Sequence, residues 1–265
     1  MKVTKFALPL AIAGGWFVGL AEQTGSLAIL LARATQGVFR PPMRTRLILY
    51  ELWKIGCQSW MIVALSSLFI GMVLALQSAY QMQKLAAEIY IASLVALSVV
   101  REIGPVITAL IVAGRVGSAI TAELGTMKVT EQIDALETLA IDPVKYLVVP
   151  RLIATVIALP LLTLWANTLG VIGGFIIGTV KLSILPTLYW KMTHTPLVFK
   201  DLASGLVKAF VFGIIICIVS CYEGFRTEGG AEGVGRATTS AVVSSFLLII
   251  GADCFLTALF YFAWR

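Results

Sequence analysis

Arg101 and Glu102 stand side by side, just ahead of Gly104 and Pro105, in the middle of an otherwise apolar segment. Charges in such a setting are costly in hydrocarbon and face either protein or a water-filled cavity. Two chemistries are open to them. They can form a polar patch for a lipid headgroup, the guanidinium meeting a phosphate and the carboxylate an amine. Alternatively they brace helices as structural ion pairs, although adjacent residues point about 100° apart on a helix and need not pair with each other.

A second constellation lies in the polar segment 124–150, where Thr130, Glu131, Gln132, Asp134, Glu137 and Asp142 are interleaved with Ile133, Leu136, Leu139, Ala140 and Ile141. Thr130 can cap a short helix beginning at Glu131, acids suit its positive end, and Asp142-Pro143 stops it. As a solvated connection it would leave Leu136, Leu139 and Ala140 uncovered without reason. An amphipathic helix within 128–142 that docks a soluble protein gives those residues a role.

Other chemistries find little support. Cys217 and Cys221 are four residues apart, on one helix face, but no His or second Cys pair accompanies them as a zinc site would require. With Cys57 and Cys254 they are predicted to be buried thiols, and no metal is expected. His194, close to Lys191, Thr193 and Thr195, is predicted to sit solvated in a loop. The run Gly230-Ala231-Glu232-Gly233-Val234-Gly235-Arg236-Ala237 approaches a phosphate-binding loop but has Arg for Lys and Ala for Ser/Thr, with no strand ahead of it. No nucleophile elbow, zincin helix or haem-ligand pair occurs. The chain is therefore expected to be no enzyme and to hold no cofactor, and any ATP chemistry must come from another chain.

The elements that position these residues follow from composition. Of 265 residues 59% are hydrophobic and 13% charged, with 20 Lys+Arg against 14 Asp+Glu and a mean hydropathy of +0.95. A soluble domain carries about 25% charge, so this chain lacks the polar surface to cover itself in water. It is an all-α integral membrane protein, not a soluble enzyme, a disordered chain or a disulfide scaffold. Residues 55–83 and 152–180 are each 29 long and free of charge, and about 20 suffice to cross the hydrocarbon core. Five spans are predicted, over about 55–83, 89–116, 150–180, 202–223 and 237–263. The second is expected to kink at Pro105 and to protrude; the fourth contains Lys208, which either snorkels or faces a cavity. Within 1–45, residues 1–21 resemble a secretory signal with Ala21 as a cleavage position, but apolar character resumes at Ser26 to Ala32 and ends in a basic stretch with Arg33, Arg40, Arg44 and Arg46. An interfacial helix leading through Pro41-Pro42 into the first span fits better, with signal cleavage as the alternative.

Basic residues set the orientation. With the N-terminus cytoplasmic, that side carries 12 and the opposite side five, with Arg101, Arg115 and Lys208 inside spans. The C-terminus then lies outside. Gly170, Gly174 and Gly178 at four-residue intervals, and Ala113, Gly117 and Thr121 beside Gly114, Ser118 and Ala122, allow close helix approach in lipid. They serve either packing within one subunit or a dimer seam.

The run Val99-Val100-Arg101-Glu102-Ile103-Gly104-Pro105-Val106, continuing through Ala113-Gly114-Arg115-Val116-Gly117-Ser118-Ala119 and Thr121-Ala122-Glu123-Leu124-Gly125-Thr126-Met127, resembles the signature of MlaE-type permeases, the membrane subunits of ABC transporters that work with MCE-domain lipid-binding proteins. Also similar are Phe69-Ile70-Gly71-Met72-Val73-Leu74-Ala75-Leu76-Gln77, Glu131-Gln132-Ile133-Asp134-Ala135-Leu136, Ile141-Asp142-Pro143, Pro150-Arg151 and Gly235-Arg236-Ala237-Thr238-Thr239. The resemblance spans about 41–262.

The resemblance implies a single permease domain, homodimeric in the cell inner membrane, with two ABC ATPase subunits that bind ATP and Mg on its cytoplasmic face, an MCE-domain protein on the periplasmic side, and room for a small cytoplasmic accessory subunit. It implies no nucleic-acid partner. The substrate would be a phospholipid, moved between the inner membrane and a periplasmic route to the outer membrane, supporting outer-membrane lipid asymmetry. On this reading Glu131, Gln132, Asp134, Leu136 and Glu137 couple to the ATPase. Leu74, Gln77, Ser78 and Tyr80 of the first span line a lipid cavity at the dimer axis with Arg101 and Glu102. The rivals are an ion-coupled secondary transporter with Arg101, Glu102 and Asp253 as its relay, and a non-transporting membrane anchor.

Overall fold

The computed structural model describes residues 4–39, 44–84 and 87–263, with side chains from residue 21 onward outside the gaps. All regular structure among them is helical. The order is α1 (Thr4–Val38), α2 (Thr45–Gln83), a 3-10 turn (Glu88–Tyr90), α3 (Ile91–Ser98), α4 (Gly104–Val112), α5 (Ser118–Val129), α6 (Gln132–Thr138), α7 (Val149–Val180), α8 (Pro186–His194), α9 (Phe199–Phe225) and α10 (Gly230–Ala263). Three π-helical turns, Val99–Ile103, Ala113–Gly117 and Val144–Val148, join α3 to α4, α4 to α5, and lead into α7. Five stretches are long and apolar enough to cross a membrane: Thr45–Gln83, Glu88–Val129, Val144–Val180, Phe199–Phe225 and Gly230–Phe262.

The first and third spans outrun their charge-free stretches at the ends near Glu51 and Arg151 because the charges that seemed to bound them turn inward and pair. Arg151 is buried, with Nη2 2.9 Å from Glu123 Oε1 and Nε 3.4 Å from Glu51 Oε1, while Lys54 Nζ holds Glu123 Oε2 at 2.8 Å. This network ties α2, α5 and α7 together, so four ionisable groups neutralise one another, with Arg151 and Glu51 buried and Lys54 and Glu123 half-buried.

Pro105 does not break the second span. Its missing N–H would leave a carbonyl unpaired four residues back, and its ring would crowd that carbonyl. The π turn at Val99–Ile103 widens the helix just upstream, and the Gly104 N–H donates to Val99 O, five residues back. The run from Glu88 to Val129 continues past the proline. Both Arg101 and Arg115 sit in such π turns, which often mark functional segments.

Small residues pack within the chain. A Cβ on Gly71 would fall on the Gly170 carbonyl, and one on Gly173 on the Leu68 carbonyl oxygen, so α2 and α7 touch backbone to backbone. Gly174 and Gly178 receive Tyr189 of α8, whose ring meets Phe175 edge-on at 5.5 Å. Tyr189 is buried, and burial pushes its phenol up to about 12. Gly117 faces Ser220 of α9, and the Thr121 hydroxyl donates to the Ser220 carbonyl at 3.0 Å. Of the two uses open to these stripes, intrachain packing is the one realised here.

Three local expectations are corrected. The Thr130 hydroxyl donates back to Thr126 O at 2.8 Å, closing α5. It does not cap the next helix, which starts at Gln132 after Glu131 takes a left-handed φ of 59° to make the sharp corner. His194 ends α8, its ring 4.6 Å from that of Trp190, instead of lying in a loop. Cys217 and Cys221 are buried, but Cys57 and Cys254 are exposed, because in a membrane chain an apolar run faces lipid as readily as the core.

Candidate functional site

The charges of the second span open onto a cavity of about 350 Å³, lined by Arg101, Glu102, Asp201, Ser204, Lys208, Thr257, Phe260 and Tyr261. Arg101, Glu102 and Lys208, each a charge in an apolar run, meet here, and Asp201 and Thr257 link them to α9 and α10. Arg101 and Glu102, neighbours in sequence, point to different partners. The Arg101 guanidinium grips Asp201 of α9, Nη2 at 2.7 Å and Nε at 2.8 Å from the same Oδ1. Asp201 Oδ2 accepts the Val198 N–H at 3.0 Å, so one carboxylate both caps α9 and anchors the arginine.

Glu102 belongs to a second group, centred on Lys208. The lysine is 1% exposed; its Nζ pairs with Glu102 Oε2, donates to Thr257 Oγ1 at 2.7 Å, and lies 2.9 Å from Asp253 Oδ1. The Thr257 hydroxyl is also 3.3 Å from Glu102 Oε2. An ammonium has three donors and no acceptor; here it donates to Glu102 and Thr257, while Asp253 Oδ1 lies at ion-pair distance without a hydrogen bond. Lys208 therefore faces inward toward the cavity, the second of the two placements its position in the fourth span allowed.

Two cations thus meet three carboxylates around one opening, with Phe260 and Tyr261 as its apolar wall. Arg101 keeps 51% of its side chain exposed while Asp201 keeps 6%. The buried acid fixes the guanidinium without covering it, and its remaining donors stay open for an anionic group. The arrangement can bind an amphiphile with a charged head. No cluster of metal-ligating side chains occurs among the described residues.

The remaining expected lipid-binding residues lie on α2 and do not line this cavity. Leu74 packs half-buried toward Val95 and Val99, Ser78 is half-buried, and Gln77 and Tyr80 are exposed. Asp201, Ser204 and Thr257 were not singled out from sequence. Asp201 was placed at the edge of a span, where an acid reads as a boundary; its position in the first turn of α9 was the available signal.

On the coupling segment, Ile133 anchors α6 in the core and Leu136 is half-buried against the same cluster. Glu131, Gln132, Asp134 and Glu137 are exposed, Asp134 holding Lys128 at 2.7 Å. Leu139, outside the proposed coupling set, is the apolar residue on display, 70% exposed. Beyond it Ala140 takes a left-handed φ of 58°, so α6 is a short knob closed by a left-handed residue at each end.

Residues 48–259 match the family described as Permease MlaE. The chain is 48% identical over 244 residues, 92% of its own length and 94% of the other's, to a probable ABC transporter permease protein of Rickettsia felis. It is 38% identical over 216 residues, 81% of its length and 83% of the relative's, to the intermembrane phospholipid transport system permease protein MlaE of Haemophilus influenzae. It is also 39% identical over 236 residues, 89% and 67% of the two lengths, to the chloroplastic protein TRIGALACTOSYLDIACYLGLYCEROL 1 of Arabidopsis thaliana. With the signature run Arg101–Arg115 inside the matched region and five apolar helices around it, the chain belongs to the MlaE family of ABC transporter permeases.

Proposed function

We propose that the chain is the membrane subunit of an ATP-driven phospholipid transporter, acting as a homodimer in the inner membrane and exchanging lipid with a periplasmic MCE-domain protein on the route to the outer membrane. The observation that carries this reading is the cavity around Arg101, where a fixed but uncovered guanidinium, carboxylates and an aromatic wall suit a zwitterionic or anionic amphiphile. The Haemophilus relative's description as a phospholipid transport permease supports the substrate class. Leu74, Gln77, Ser78 and Tyr80 would extend the site along α2 toward a dimer axis. Two ATPase subunits, holding ATP and Mg, would dock on α6 through Leu139 and the exposed acids, with the N-terminus cytoplasmic and the C-terminus periplasmic.

Reconstitution tests the reading. Phospholipid movement between the permease and its MCE partner should require the ATPase and ATP; movement driven by an ion gradient in the permease alone would overturn it. Arg101→Ala should reduce the phospholipid retained on purification by more than it reduces the yield of assembled complex, since the buried Asp201 carboxylate left behind still accepts the Val198 N–H. Leu139→Asp should release the ATPase without changing lipid retention. Full ATPase binding in that variant would remove α6 as the docking element.

A further inference from the structure

We propose that Arg115, with Lys54 and Gln58, forms a second phosphate site in the opposite half of the membrane, holding the headgroup of a phospholipid there. The proposal rests on the phospholipid reading above and adds a place where lipid is held on the α6 side of the protein.

The first observation is a charge without a counter-charge. Among the described residues, Arg101, Lys208, Arg151 and Lys54 each hold a carboxylate. Arg115 holds none: its Nη1 donates to Ser59 Oγ at 2.8 Å and its Nη2 reaches Gln58 Oε1 at 3.4 Å, both neutral. Nearby, Glu51 and Glu123 are already engaged by Arg151 and Lys54. Three cations therefore share two carboxylates, and the excess positive charge sits in a span, where it calls for an anion. A guanidinium has five donors, so two hydrogen bonds leave capacity for a bidentate phosphate.

The second observation is a space to receive one. A cavity of about 90 Å³ lies beside α2 and the start of α5, lined by Glu51, Lys54, Gln58, Arg115 and Ala119, the Glu51 carboxylate being paired to Arg151. At roughly 30 Å³ per water molecule, that is room for a single phosphate group. Gln58 and Ala119 are exposed at its mouth.

The third is what leads away from it. Arg101 and Arg115 lie 14 residues apart in one continuous span, about 21 Å along a helix, so they fall in opposite halves of a hydrocarbon core about 30 Å thick. On α2, Ile62, Leu65, Phe69, Val73 and Leu76 are exposed at spacings of three and four, continuing the line from Gln58 away from Arg115. An apolar stripe that starts at a phosphate-sized cationic pocket suits acyl chains and has no use for a soluble anion.

The test uses the permease–ATPase complex in nanodiscs of phosphatidylethanolamine and phosphatidylglycerol. Ala119→p-benzoylphenylalanine places a photocrosslinker at the pocket, and Leu76→p-benzoylphenylalanine places one at the far end of the stripe. Phospholipid adducts are expected at both. Arg115→Gln should lower the adduct at 119 about tenfold, the loss of one charge-assisted hydrogen bond, and leave that at 76 unchanged. Gln58→Leu, at an exposed position, should weaken the same adduct if Arg115→Gln fails to assemble. An adduct at 119 indifferent to both substitutions, or one formed with a second copy of the chain, overturns the proposal. Displacement by excess glycerol 3-phosphate would reassign the site to soluble phosphate esters and also overturn it. Absence of phospholipid at both positions would sink the phospholipid reading itself, whereas absence at 119 alone sinks only this site.

Discussion

Lys208→Met should cost about 3 kcal/mol of stability, the low end of the range for breaking a buried ion pair, because it removes a buried cation from between Glu102 and Asp253, whose side chains stay 40% and 22% exposed and so remain partly solvated. Glu102 and Asp253 both reach the ammonium, and Thr257 bonds to it as well; without it the two acids, from different helices, lose the cation they share. Against a total stability of about 5–15 kcal/mol, this is enough to lose most of the folded protein on mild heating in detergent. The triple variant Lys208→Met, Glu102→Gln, Asp253→Asn should regain most of the loss, since a neutral hydrogen-bonded cluster has no ionic desolvation to offset. The check is the fraction that stays monodisperse across a temperature series. A Lys208→Met protein as stable as the parent would show that the lysine serves the ligand alone, and the cluster would lose its place in holding α4, α9 and α10 together.

Gly71→Ala should be nearly as damaging by a different route. The added methyl would coincide with the Gly170 carbonyl, and backbone, unlike a side chain, has no rotamer by which to withdraw. α2 and α7 must part along their length, forfeiting the close packing that substitutes in lipid for the hydrophobic effect. A cost of about 3 kcal/mol, the upper range for overpacking, is expected. Gly173→Ala, which meets the Leu68 carbonyl oxygen, should behave alike. Gly251→Ala is the control: nothing lies within 4 Å of the new atom, so it should be neutral or stabilise the helix by roughly 0.5–1 kcal/mol. Equal behaviour of Gly71→Ala and Gly251→Ala in the same heating series would mean that α2 and α7 do not pack as described.

Fold class was legible because hydrocarbon leaves a helix few alternatives, and each of the five predicted spans falls on a helical stretch long and apolar enough to cross a membrane. Their ends were not legible. Glu51, Lys54, Glu123 and Arg151 are charges and so mark a boundary to any reading of composition, yet they satisfy one another inside the bundle. Arg101, Glu102, Lys208 and Asp253 stood out as charges in apolar runs, but who pairs with whom is settled by contacts 100 and 106 residues apart in the chain, which no local pattern encodes. The π turn before Pro105 also lay beyond sequence periodicity, since a proline at that position is compatible with a kink, a break or a widened turn. The short helix over 132–138 was visible from its turn residues, whereas the inward side of Leu136 and the outward side of Leu139 depend on where α6 leans against the core.

The lysine shared between Glu102 and Asp253 also fixes an order of events during synthesis. At roughly 5–20 residues per second, the 106 residues separating Glu102 from Lys208 take about 5–20 s to appear. Throughout that interval Arg101 and Glu102 are in the membrane with neither Asp201 nor Lys208 yet made. When α9 arrives, its lysine, which alone would oppose insertion by about 2.5–3.5 kcal/mol, finds a carboxylate waiting; α10 then brings Asp253 to a cation already in place. Later helices are thus received by earlier ones, and the vulnerable interval is the one before α9. A ribosome stalled after Val180 leaves a helix with two unanswered charges in the bilayer, the state that a membrane chaperone must shield or a quality-control protease will read.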